Sequence, residues 1–131
     1  MYISIREKKF GLDKSFCEIN FYKSNNIIDL YEPIAKCEIS YNKTANKGEL
    51  TFLFVKENYR KIGFGKRLMK LAIENATKNN ICNLTVYAKP HSNPYMTKQQ
   101  LINFYEKYGF KITEDTVEGT YMKCELLPTS I

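Results

Sequence analysis

Six consecutive residues, Arg60-Lys61-Ile62-Gly63-Phe64-Gly65, carry the clearest chemical signal in the 131-residue chain. Two glycines, one residue apart, stand where a strand-like apolar run ends and a helical pattern begins. The first N–H groups of a helix lack intrahelical acceptors, and the helix dipole makes that end positive. Glycine has no Cβ to hold a ligand away from the backbone. Arg60, Lys61, Lys66 and Arg67 add side-chain charge. The natural guest of such an end is a phosphate or diphosphate. Taken alone, the spacing is equally that of a tightly packed turn. It has neither the Gly-Lys-Ser/Thr ending of a P-loop nor the Gly-x-Gly-x-x-Gly of a dinucleotide fold.

Other reactive residues form weaker patterns. Cys17, Cys37, Cys82 and Cys124 stand far apart, without metal or redox spacing, and each falls in a strand-like run. They read as core residues, and no metal site is expected. A cysteine nucleophile needs a histidine partner, and the one histidine, His91, sits in a loop bounded by Pro90 and Pro94, where it reads as a surface residue. Glu114, Asp115 and Glu118 are either solvated loop charges or an acidic rim that attracts an amine.

The elements that must position these residues follow from periodicity. Strands are expected over 2–9, 16–22, 34–41 and 49–55, with turns at 11–14 and 42–48 and an ambiguous stretch at 24–32. In the fourth strand, strict alternation puts Leu50, Phe52 and Phe54 on one face and Glu49, Thr51, Leu53 and Val55 on the other. Phe64, Leu68, Leu71 and Ala72 follow helical spacing over 64–79, and Met69, Ile73 and Ala76 widen that stripe. A strand over 83–88 and a loop over 89–96 come next. Thr97 and Gln100 are placed as a capping box. After them Leu101, Phe104, Tyr105 and Tyr108 fall on one helix face, and Gly109 stands at the left-handed C-terminal cap. Two closing strands are expected near 110–113 and 121–126.

Residues 55–68, centred on Arg60-Lys61-Ile62-Gly63-Phe64-Gly65, resemble the cofactor motif of the GNAT superfamily of N-acetyltransferases, Arg/Gln-x-x-Gly-x-Gly/Ala. A second block, Phe104-Tyr105-Glu106-Lys107-Tyr108-Gly109-Phe110, is similar to that family's other hallmark, a helix ending in aromatic-Tyr-Glu-Lys-x-Gly-Phe. The blocks lie in the family's order and span residues 49–113 with their flanking elements. The resemblance implies an α+β fold with α/β-like three-layer character, built on a mixed, mostly antiparallel, splayed sheet of six or seven strands and two main helices. It implies acetyl-CoA as co-substrate, its arm along Leu53, Phe54 and Val55 and its pyrophosphate on Arg60, Lys61, Ile62, Gly63, Phe64, Gly65 and Lys66. An N–H of the 53–55 strand edge would hold the oxyanion. Tyr105 corresponds to the tyrosine that acts as general acid toward the departing thiolate. Glu49, eleven positions before Arg60, has the spacing of the strand glutamate that serves as base in histone-type members.

Two departures from the family stand out. An asparagine common seven positions before the helix tyrosine is here Lys98, with Asn93 displaced into the loop. The two helices usual between the first strands are absent, or replaced by residues 24–32, which opens the acceptor side toward a protein lysine or N-terminus unless a homodimer partner rebuilds the wall.

Length and composition set the outer bounds. One domain over 1–131 is expected, with 44% hydrophobic and 26% charged residues, as in ordinary globular proteins. No run reaches the roughly 18 apolar residues of a membrane span. The N-terminus, charged from Arg6, does not read as a signal peptide, so the expectation is cytoplasmic. The net charge of +6 favours an anionic partner, but the lysines are scattered rather than gathered into a nucleic-acid face. The leading reading is an acetyl-CoA-dependent N-acetyltransferase whose acceptor is a small-molecule or protein amine. The alternatives are a catalytically inactive module of the same fold that binds protein or nucleic acid, and transfer of a longer acyl group.

Overall fold

Alternation builds the first half of the molecule. The structure, a computed structural model, describes residues 1–90 and 96–126. Strands β1 (Tyr2–Lys9), β2 (Lys14–Tyr22), β3 (Ala35–Asn42) and β4 (Lys47–Val55) form an antiparallel meander. On β2, Cys17, Ile19 and Phe21 point inward; Ala35, Cys37, Ile39 and Tyr41 of β3 lie beside them in register. Only residues 10–13 join β1 to β2, and residues 23–34 hold no more than a 3-10 turn at Asp29–Tyr31. The family's two N-terminal helices are therefore not formed.

Helix α1 (Phe64–Lys78) crosses from β4 to β5 (Asn83–Ala88), the one parallel pair among the described strands. Helix α2 (Lys98–Glu106) leads to β6 (Lys111–Asp115) and β7 (Thr120–Glu125), and β7 inserts between β5 and β6. The order is β1-β2-β3-β4-β5-β7-β6.

Both helices lie on the same face. Tyr41 donates from its hydroxyl to Asn75 Oδ1 of α1 at 2.5 Å. Cys124 of β7, which meets Leu84 in register, donates from Sγ to the Tyr108 carbonyl just after α2. Leu84 in turn pairs with Gly48, the partner of Tyr41. The described architecture thus has two layers, not the three-layer character expected. With no helix between β1 and β2, nothing among the described elements forms a layer over the opposite face. The core lies between the sheet and the helices, around Phe21, Leu68, Met69, Leu84 and Met122.

The strict alternation expected for β4 fails at one residue. Glu38 pairs with Phe52 but Ile39 pairs with Leu50, so Thr51 is an extra residue, a β-bulge. The bulge changes the parity of the strand: Leu50 faces the helices before it, and Leu53 and Val55 do so after it. Glu49 therefore shares the helix-free face with Phe52 and Phe54, not the face of Leu53 and Val55.

Candidate active site

The bulge also marks where β4 and β5 part. Their pairing runs from Lys47↔Asn83 to Leu50↔Val86 and stops there. Beyond it, residues 51–55 have a paired neighbour only in β3, and the backbone groups on their other side face an opening. Bulges bend a strand and sharpen its twist, and here the bend lies at the vertex of the split. The resulting cleft encloses about 1040 Å³, large for a small-molecule site.

One wall of the cleft is β4, with Leu53 and Val55; the other is β5, with Val86, Tyr87 and Ala88. Helix α2 forms a third side through Leu101, Phe104 and Tyr105, continued by Tyr108 just after it. This explains an oddity of that helix. Its apolar face is not wholly in the core: Leu101, Phe104 and the following Tyr108 are only partly buried, and Ile102 and Tyr105 are the buried pair. Much of the stripe lines the cleft instead. Tyr105 is held edge-on by Phe104, with ring centroids 5.3 Å apart, and by Phe110 at 5.6 Å. Partial burial raises the phenol pKa of Tyr108 above its ordinary value.

At the mouth, the chain turns sharply from β4 into α1. Lys61 (φ 66°) and Gly63 (φ 93°) both adopt left-handed backbone. For lysine this costs roughly 1 kcal/mol, a strain of the kind often kept at functional turns. Arg60 ties the turn to its strand, its Nε donating to the Val55 carbonyl at 2.9 Å. Phe64 anchors the helix start against Phe21 and Tyr59. Gly63, at the N-cap, makes no side-chain cap, and the first turn of α1 holds no acidic residue. Helix α2 behaves differently: Thr97 and Gln100 close the expected capping box on it. Among the described residues, the first N–H groups of α1 are thus open to an external acceptor, with Gly65 exposing backbone in that turn.

The lining is electrostatically one-sided. Arg60, Lys61, Lys66, Lys89 and Lys107 border the cleft, and no Asp or Glu is among the described lining residues. A polyanion with a slender apolar arm fits this surface.

The residues singled out from sequence separate accordingly. Leu53, Val55, Arg60, Lys61, Gly63, Gly65, Lys66 and Tyr105 line the cleft. The Phe54 side chain lies on the helix-free face beside Phe52, Ile62 is 64% exposed outside the cleft, and Phe64 turns to Phe21. Arg67 also turns away, placing its guanidinium 5.5 Å from the centre of the Phe21 ring. Glu49 is outside the cleft lining, in register with Ser40 and Thr85 on the helix-free face. Lys98 acts locally. Its ammonium reaches Asp115 Oδ1 and the Thr116 carbonyl, both at 3.0 Å, and ties α2 to the β6–β7 turn. The Thr120 hydroxyl first, and Lys98 second, hold the Asp115 carboxyl below its ordinary range. His91 and Asn93 lie outside the described residues.

Sequence reading missed Thr51, Lys89, Lys107 and the cleft-facing role of Leu101, Phe104 and Tyr108. The position of Lys89, one residue beyond the C-terminal end of a strand parallel to β4, was the available signal for it. Thr51 left none, because a bulge is visible only in the pairing.

A sheet split between two parallel strands, with a basic helix start at its mouth, can seat a ligand that has a slender arm and a phosphorylated end. The sequence profile of the acetyltransferase (GNAT) domain matches residues 34–124. The chain belongs to that family. Among solved structures, it resembles the PaiA N-acetyltransferase of Thermoplasma acidophilum in complex with coenzyme A (26% identity, TM-score 0.63). That match covers 88% of this chain and 62% of the other, so this chain spans less than two thirds of its relative. Tetrahymena GCN5 matches with 22% identity and a TM-score of 0.65, over 88% of this chain and 71% of that one. A GNAT family acetyltransferase of Elizabethkingia anophelis with acetyl-CoA bound matches with 19% identity and a TM-score of 0.63, over 95% and 98%. These last two likenesses show the fold alone. Comparison with curated proteins gives no match.

Proposed function

We propose that the protein transfers an acetyl group from acetyl-CoA to a primary amine, a protein lysine or N-terminus or a small-molecule amine. The observation that carries this reading is the cleft itself, bordered by five cationic side chains and no described carboxylate, and running from the α1 turn to Tyr105. Its fit to coenzyme A rests on this donor set and on the open space at Gly63, where an added Cβ would meet nothing within 4 Å.

In this reading the backbone N–H groups of residues 61–66, with Lys61 and Lys66, hold the pyrophosphate. The open edge of residues 53–55 pairs with the amide-bearing arm and directs an N–H at the developing oxyanion. The thioester supplies an activated acetyl group. Glu49 takes the proton the amine must lose, directly or through water, since an alkylammonium with a pKa of about 10.4 has no lone pair to attack with. As the C–N bond forms and the C–S bond breaks, the Tyr105 hydroxyl gives its proton to the sulfur. A phenol, with a reference pKa of about 10, remains protonated at neutral pH until a thiolate is expelled.

Calorimetry with coenzyme A, followed by thiol release from acetyl-CoA over a panel of lysine peptides, polyamines and aminoglycosides, tests the reading. Saturable binding and amine-dependent thiol release are expected. Binding without turnover across the panel would favour the inactive binding module, and no binding of coenzyme A would defeat the reading altogether.

A further inference from the structure

The split in the sheet opens on both faces. Gly65, Phe104 and Tyr105 border it on the helix side, while Phe52 and Tyr87 border it on the helix-free side. The helix-free rim has its own chemistry. Tyr87 of β5 stacks on Tyr121 of β7, with ring centroids 4.4 Å apart and planes inclined by 26°. Because β5 lies between β7 and β4, the covered face of the Tyr87 ring is the one toward β7. Its other face looks across the gap toward β4, which has diverged from β5 by that level.

The ring is held in place from a third direction. An added Cβ at Gly119 would come within 2.8 Å of the Tyr87 ring, so this glycine lets the β6–β7 turn close down on it. That turn is itself anchored to α2 through Lys98. At the root of the notch stands Glu49, paired in register with Thr85 one residue before the split. Glu38, farther along the same face, is already engaged by Lys36 at 3.0 Å. Glu49 makes no ion pair among the described residues. Lys47 lies two residues back on its strand, and Lys123 pairs with Thr85 from the far side of β5.

From this arrangement we infer that the helix-free notch receives the acceptor as an alkylammonium ion, gripped between the Tyr87 face turned toward β4 and the Glu49 carboxylate. The inference rests on the transferase reading and narrows its substrate. A cation is drawn to the face of an aromatic ring and to an unpaired carboxylate, and a ring backed by a second ring is a fixed surface for an aliphatic stem. Tyr87 is then a specificity-determining residue, and the preferred amine is one that is charged in solution and carried on a slim, unbranched chain. Free polyamines and the lysine side chain share that chemistry.

Steady-state kinetics on the full chain tests the inference with three acceptors: 1,5-diaminopentane, a lysine-containing peptide blocked at its N-terminus, and an arylamine that is neutral at the assay pH. Tyr87→Leu is expected to raise KM for the alkylammonium acceptors roughly tenfold, within the range of a desolvated cation–ring contact. Its effect on the arylamine should be several-fold smaller, so that the charged-over-neutral preference falls. Tyr87→Phe, which retains the ring, should keep the charged-over-neutral preference within about twofold. A larger effect on the peptide than on the diamine assigns the notch to protein lysine, and the reverse assigns it to free polyamines. Equal losses for charged and neutral acceptors would overturn the inference. Should Tyr87→Leu fail to fold, Tyr121→Leu, at a half-exposed position, removes the backing ring and must weaken the same preference. Should no acceptor turn over although coenzyme A binds, titration of 1,5-diaminopentane and the peptide into the coenzyme A complex reads the notch directly. Absence of binding there would overturn the inference and leave the cofactor assignment standing.

Discussion

In the proposed reading, Gly65 belongs to binding and Tyr105 to chemistry. An added Cβ at Gly65 would meet only the Phe104 ring, at 3.6 Å, an ordinary contact. Alanine is also the better helix former by up to about 1 kcal/mol. Gly65→Ala is therefore expected to leave the melting temperature unchanged or slightly raised, while the methyl group standing in the phosphate turn weakens coenzyme A about tenfold or more by calorimetry. A parallel fall in melting temperature would mean that the glycine serves packing. Tyr105→Phe keeps the ring between Phe104 and Phe110 and removes only the hydroxyl. It should lower kcat by at least about tenfold, as loss of a general acid does, with KM for acetyl-CoA within about twofold. Full turnover by this variant would remove Tyr105 from the chemistry.

Among the elements, the bulge in β4 does what no single side chain does. Without Thr51, the strand would read Leu50 in, Phe52 out, Leu53 in, Phe54 out and Val55 in, an unbroken alternation. Deleting Thr51 therefore preserves the side of the sheet on which every neighbour falls. The expected product is a folded protein, with strand content by circular dichroism close to that of the parent. A regular β4 continues its pairing with β5, so the cleft narrows and binding of coenzyme A is lost. Retained affinity in a folded deletion variant would show that the split has another origin. Helix α2 adds a complementary point: an amphipathic stripe reports an apolar neighbour, and that neighbour can be a ligand cleft as readily as a core.

For the whole molecule, ionisation sets the stability window. Burial pushes the Cys17 thiol up to about 11 and the Cys37 thiol higher still, and it raises the Tyr41 phenol as well. An unfolded thiol titrates near 8.5, so the unfolded chain loses these protons first. The stability they confer is complete below about pH 8.5 and declines as pH rises toward the folded values. Melting temperature should fall across that alkaline range, with a shallower slope in a Cys17→Ala, Cys37→Ala double variant. An unchanged slope would remove the thiols as its cause. At the acid end, hydrogen bonds from Asn75 and then Asn79 hold the Glu7 carboxyl below its ordinary range, against the opposing effect of burial. This tie of β1 to α1 is present above the ordinary carboxyl pKa of about 4 and is lost as pH falls through the lower folded value.

Local features were legible in the order of residues alone: strand and helix identities, the capping box at Thr97, the left-handed Gly109, and the two motif blocks around Gly63 and Tyr105. Each depends on residues close together in the chain, where periodicity and backbone preference act directly. Packing settled the rest. The parity of β4 changed at Thr51 because a bulge exists only relative to a partner strand. Both helices settled on one face, as the cross-strand chain from Tyr41 to Cys124 records, since layer count depends on how crossovers pack. Lys98 went to Asp115, seventeen residues away, rather than to the cleft. The cleft is a gap between strands whose pairing ends at Leu50 and Val86, and no run of neighbouring residues encodes a gap.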